Sequence, residues 1–282
     1  GAADVVSVKA VATVSTENAV AKYPEYHKVW EDGALNVVSI FGKYEDGATE
    51  SGDAGIAAFN EFVGAVKSAW PTATVAETPT DVTVNVDLGG RRLQIVALLV
   101  DNVRTAPASF DARYSELAPG ADVILYNGHA GLGANVRALS QKGKFFPGKY
   151  QIFFMNGCDT FAYVDGALAQ VRATLNPGDA AGTKYMDIVT NAMPAYFMNM
   201  AEASMALIGA LANPASPQSY GTIFRAIDAS QVILVTGEED NVFNASYRPK
   251  STWAGFHQSG VVKKDQQLAF ATETLPAGTY TF

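Results

Sequence analysis

Cysteine is nearly missing from this chain: Cys158 stands alone among 282 residues, so no disulfide can close within it. A single thiol leaves the redox compartment open. Histidine is scarce too. His27, His129 and His257 lie far apart, none with partners at metal-ligand spacing, and neither a metal nor another cofactor is expected. Charged residues make up only 17% of the chain, with a net charge of −8, and the only paired basic residues of note are Arg91-Arg92 and Lys263-Lys264. That balance argues against a nucleic-acid surface, which needs clustered Lys and Arg. No apolar run reaches the roughly 18 residues that span a bilayer. Repeats and low-complexity tracts are absent as well. The sequence opens on Gly1 rather than Met, so a removed leader or tag is expected, and a secreted or periplasmic site if a leader was lost.

What is present is ordinary globular material, 48% hydrophobic, in a chain long enough to bury a sizeable core. NVVSIF at 36–41 reads as a core strand. It leads into an acidic, Gly-rich loop with Glu45, Asp46, Glu50 and Asp53, whose register does not fit an EF-hand and which reads as solvated. Asp53 or Ser51 can cap a helix carrying the stripe Ile56, Phe59, Val63, Val66 and Trp70. DVTVNVD and LQIVALLV flank Gly89-Gly90, a hairpin signal with the first arm nearer an edge. Further apolar runs at 123–126, 150–155, 186–190 and 231–236 alternate with helical patterns. The pattern predicts an α/β fold: a mostly parallel central sheet of about six strands, helices on both faces, and small β additions at the termini. Three parts are expected: an N-terminal β segment at 1–34, an α/β domain at 35–240, and a β-rich extension at 241–282.

Between Val123 and Thr160 two apolar runs each end in a small polar cluster. VILY gives way to NGHAGLG, and YQIFFM to NGCDT, which places His129 and Cys158 just past two strands, 29 positions apart. Side chains beyond the carboxyl ends of parallel strands line the crevice where ligands bind, so the two would share one rim. A neighbouring imidazole or a helix N-terminus turns a thiol into a usable thiolate. Val164, Leu168, Val171 and Leu175 show helical spacing, with Asp159 or Thr160 as a cap, so Cys158 is expected at that helix's positive end.

These two motifs resemble the clan of cysteine peptidases that contains caspases, legumain, gingipains and clostripain, over about 40 residues. The resemblance implies a caspase-like three-layer sandwich, with His129 as general base and acid and Cys158 as nucleophile. It also implies an oxyanion hole from backbone N–H groups around Gly128, Ala130 and Gly157, while Asn127 and Asn156 orient His129 or the substrate. The family usually carries Gly after the His; here Ala130 stands between Gly128 and Gly131.

The expected activity is a cysteine endopeptidase acting on a peptide or protein. Glu238, Glu239 and Asp240, after the 231–236 run, are candidates for the same rim, and Asp159 is another. A carboxylate there would select Lys or Arg, a preference that gingipains and clostripain have. Two alternatives stay open. One is a catalytically inactive binding domain on a peptidase scaffold, which Ala130 favours. The other is nucleotide binding, for which Gly131-Leu132-Gly133 is a weak signal because position 136 is Val rather than Gly. The oligomeric state is not legible.

Overall fold

The computed structural model describes residues 9–12, 21–164, 166–238 and 278–281. The chain begins with β1 (Lys9–Ala12), α1 (Tyr26–Val29), β2 (Ala34–Gly42), α2 (Ala54–Ala69), β3 (Thr74–Glu77), β4 (Asp81–Asp87) and β5 (Arg92–Val100). It continues with α3 (Ala108–Leu117), β6 (Val123–Asn127), α4 (Ala134–Lys142), β7 (Gln151–Asn156), α5 (Ala167–Leu175) and β8 (Met186–Asn191). Last come α6 (Met200–Leu211), α7 (Tyr220–Ile223), β9 (Ile233–Gly237) and β10 (Gly278–Thr281).

Eight strands form one mixed sheet in the order β3-β4-β5-β2-β6-β7-β8-β9. The five central strands run parallel, from β5 through β2, β6 and β7 to β8. Antiparallel β4 and β3 extend one edge and antiparallel β9 closes the other. The expected count of about six is thus too low. β3 was not anticipated because all four of its residues are exposed, so it carries no buried face to read. The Gly89-Gly90 hairpin forms as expected, with β4 outside β5. β1 and β10 pair with each other, Lys9 opposite Thr281, as a separate two-stranded sheet.

Helices cover both faces of the main sheet, because its central strands present apolar residues to both sides. Val37, Phe41, Leu125, Ile152 and Phe154 pack against Phe59, Phe62 and Val66 of α2 and Leu207 and Ile208 of α6. On the other face, Val38, Ile40, Ile124 and Phe153 meet Phe110 and Tyr114 of α3 and Val136 and Leu139 of α4. Each fully buried side chain of this size contributes about 1.5–3 kcal/mol of transfer free energy. Tyr26 and Val29 of α1 join the first core, so the chain is built into the α/β body before β2 starts.

This order has a functional consequence. From β2 the chain crosses to β5 on one side, then returns to β6 on the other. The strand order therefore reverses at β2, and the carboxyl ends of β2 and β6 border the crevice where open α/β sheets bind ligands.

Candidate active site

Asn127 and Asn156 are direct partners in the parallel β6–β7 ladder. His129 and Cys158 each follow two residues later, and the strands they leave are neighbours in the hydrogen-bonding direction. The two loops touch: Gly128 donates its N–H to Asn156 O at 3.2 Å. A Cβ on Gly157 would fall 2.5 Å from Gly128 O, so only glycine admits this approach. Both residues thus follow the carboxyl ends of adjacent strands.

His129 is exposed but held on several sides. Its Nε2 lies 3.2 Å from Tyr44 O. A carbonyl only accepts, so this bond requires a proton on Nε2, and in the neutral imidazole Nδ1 is then the acceptor. The imidazole also sits against the rings of Tyr44 and Phe197, at centroid distances of 5.0 and 5.1 Å. Its carbonyl accepts from Tyr126 OH at 2.7 Å and Asn135 Nδ2 at 2.9 Å. Burial pushes the Tyr126 hydroxyl well up, so it stays a donor.

Tyr44 is itself fixed by Asp53. The Asp53 carboxylate accepts from Tyr44 N at 3.1 Å and Glu45 N at 2.9 Å, and from Gly55 N and Ile56 N as the cap of α2. Burial works against its ionisation, yet these four N–H groups hold it below the ordinary carboxylate value. One side chain thus caps the helix and sets the carbonyl that orients His129.

Cys158 is half-buried, and its thiol donates to Ala195 O at 3.4 Å. Asp159 follows with φ of 51° and donates its N–H to Met193 O at 3.3 Å. The loop after β8 therefore walls the thiol on one side. The expected helix does not begin here. Thr160 turns inward, donating to Met155 O and accepting from Asn191 N, and residues 160–163 form a 3-10 turn. α5 starts at Ala167 after Gly166 with φ of 85°, so Cys158 does not sit at a helix N-terminus.

Ala130 is accommodated without strain, because its φ is not positive. Among the described residues no acceptor takes the N–H of Ala130 or of Cys158, whereas that of Gly128 is committed to Asn156 O. Asn127 and Asn156 are fully buried rather than substrate-facing. Asn156 Nδ2 donates to Asn127 Oδ1 at 2.9 Å, and Ser204 Oγ of α6 reaches the same oxygen at 3.0 Å. They brace the strand ends beneath the rim.

Glu238 lies elsewhere. Because β9 is antiparallel, Gly237 pairs with Asp187 near the start of β8, at the pole opposite His129 and Cys158. There Lys22 Nζ pairs with Asp187 Oδ1 at 3.0 Å and Glu238 Oε2 at 3.2 Å, all three buried. Tyr150 OH and Tyr220 OH donate to Asp187 Oδ2 at 2.6 and 2.7 Å. Burial, opposed by Lys22 and reinforced by Asp187 and Glu25, raises the Glu238 carboxyl to about 8. Glu239 and Asp240 lie outside the described residues, as does His257. The Gly131-Leu132-Gly133 run forms three successive left-handed residues, φ 59°, 51° and 85°, leading into α4. That turn explains its glycines.

Sequence reasoning missed Tyr44 and Ala195, which act through backbone carbonyls that no side-chain pattern reveals. Among the described residues no group of three His, Cys, Asp or Glu side chains could hold a metal ion, and no helix is long and apolar enough to cross a membrane. No protein-family model matches the chain, and no curated protein matches it.

Proposed function

We propose that this chain is a cysteine endopeptidase of the caspase-like clan, with Cys158 as nucleophile and His129 as base. The observation that carries the reading is the pairing of Asn127 with Asn156, which sets His129 and Cys158 at matching positions on adjacent strand ends beside the switch point. The Tyr44 carbonyl supports it by orienting the imidazole where a catalytic triad would use a carboxylate.

In the proposed reaction His129 Nδ1 takes the Cys158 proton as sulfur attacks the scissile carbonyl carbon. The N–H groups of Ala130 and Cys158 receive the oxyanion. Collapse breaks the C–N bond, and His129 returns the proton to the leaving amine. Water, deprotonated by His129, then hydrolyses the thioester.

A second reading has its own observation: the Cys158 thiol donates to Ala195 O, an arrangement in which sulfur keeps its proton. It favours a peptide-binding domain on a peptidase scaffold. Incubation with a mixture of denatured proteins, followed by mass spectrometry of the fragments, separates the two. The enzyme reading expects cleavage that disappears in both Cys158→Ala and His129→Ala. Cleavage that persists in either variant, or none by the parent chain, contradicts it, and peptide binding unchanged by Cys158→Ala would then favour the scaffold.

A further inference from the structure

Large apolar side chains that face solvent are concentrated at one end of the sheet. Tyr44, Leu132, Met193, Tyr196, Met198 and Val232 are all exposed, Leu132 by 80% and Met198 by 76%. Each lies on a segment at the carboxyl end of β2, β6 or β8 or at the adjoining start of β9. Elsewhere among the described residues only Val75 and Phe146 are comparably exposed. Exposed apolar residues scattered singly need no explanation, but a group gathered around one site marks a contact surface.

This group adjoins both reacting side chains. Tyr44, His129 and Phe197 form a ring cluster, with Tyr44 and Phe197 centroids 5.6 Å apart. On the thiol side, Met193 and Ala195 bond Asp159 and Cys158 through their carbonyls, so the exposed Met193 and Tyr196 side chains leave the backbone that borders the nucleophile. Thioethers adapt to varied apolar shapes, and Tyr offers a large face with little flexibility.

Several of the charges that would favour a basic substrate are engaged or distant, with Glu45 and Glu50 of the loop after β2 exposed. Glu238 is buried at the far pole. Asp46 is bonded to Asn102, Asp53 holds four backbone N–H groups, and Lys43 pairs with Asp101 at 2.7 Å. Asp159 is the carboxylate next to the nucleophile in sequence.

Resting on the enzyme reading above, we infer that the site takes extended peptide segments with large apolar or aromatic side chains beside the scissile bond, with Met193 and Tyr196 as the residues that select them. The probes are two dipeptidyl acyloxymethyl ketones, one with Phe and one with Lys next to the reactive group. Cys158 alkylation is followed by mass spectrometry against iodoacetamide as a reference.

The expected result is labelling by the Phe probe about tenfold faster than by the Lys probe, which corresponds to burial of roughly half an aromatic side chain. That ratio should fall several-fold in Met193→Ser and Tyr196→Ser and hold in Asp159→Asn. Both serine sites are exposed, and the denaturation midpoint of each variant, compared with the parent's, checks that it is folded. Equal or faster labelling by the Lys probe overturns the inference while leaving the dyad standing. If neither probe outpaces iodoacetamide, the enzyme reading fails and the specificity falls with it.

Discussion

At the carboxyl ends of β6 and β7 the chain turns through glycines, Ala130 and short polar residues, and it leaves a thiol and an imidazole within reach of solvent. At the amino ends of β7 and β8 the same sheet closes over Lys22, Asp187 and Glu238, with two tyrosine hydroxyls completing the bonds. Both poles gather titratable groups, and the more perturbed carboxyl belongs to the pole with no access. Perturbation alone would point away from the proposed site. Accessibility and the reversal of strand order identify the rim, while the buried cluster ties the residues before α1 to the chain leaving β9. On the proposed reading one pole serves chemistry and the other closure.

The sharpest way to break this division is to exchange the costs. Cys158→Ser should remove at least about a thousandfold of peptide hydrolysis and move the urea midpoint hardly at all. Lys22→Met should do the reverse, since it strands buried carboxylate charge at a cost of about 3–5 kcal/mol. Its native fraction should keep the parent rate. If Lys22→Met abolishes hydrolysis in protein shown to be folded, the poles are coupled and the division fails.

Asp53→Ala tests the rim's own scaffold. Loss of the α2 cap costs about 0.5–2 kcal/mol, and release of the Tyr44 backbone should lower kcat about tenfold with KM little changed, because His129 loses its orienting carbonyl. A drop in stability with kcat intact would reduce Asp53 to a cap. Gly157→Ala should cost a similar 1–3 kcal/mol through the clash with Gly128 O, read as a lower denaturation midpoint. A neutral substitution would mean that the two loops are not in contact.

A further test is one of pH. Glu238 folds with its carboxyl raised from 4.5 to about 8, so the native state binds the proton more tightly than the unfolded chain. Its contribution to stability is full below pH 4.5 and is lost as pH rises through 8. It faces Lys22, Asp187 and Glu25, with Tyr150 and Tyr220 on the far side of Asp187. Glu238→Gln should flatten the decline of stability between pH 5 and 8. Parallel curves for parent and variant would remove Glu238 as its source.

Much of the rim was legible because its signals are local. VILY and YQIFFM are continuous apolar runs bounded by turn residues, and they became β6 and β7; Asp53 three residues before Ile56 marked the α2 cap. Strand direction was not legible. QVILVT reads the same in a parallel or an antiparallel strand, and its reversal carries Glu238 to the far pole. The spacing of Val164, Leu168, Val171 and Leu175 is helical from Ala167 onward, but it could not show that Thr160 would turn into the core and detach the helix from Cys158. The orienting carbonyl of Tyr44 depends on β2 and β6 being neighbours, a long-range fact with no residue-type signature.

The central claim is that His129 activates Cys158, and the rate of iodoacetamide alkylation tests it most directly, measured across pH 5.5 to 9.5 in the parent chain and in His129→Ala. The dyad requires the parent thiol to react about tenfold or more faster than the variant near pH 6, with the two rates converging toward pH 9 as solvent alone ionises the thiol. Superimposable profiles in protein of equal stability would contradict the account and leave Cys158 as a packed thiol bonded to Ala195.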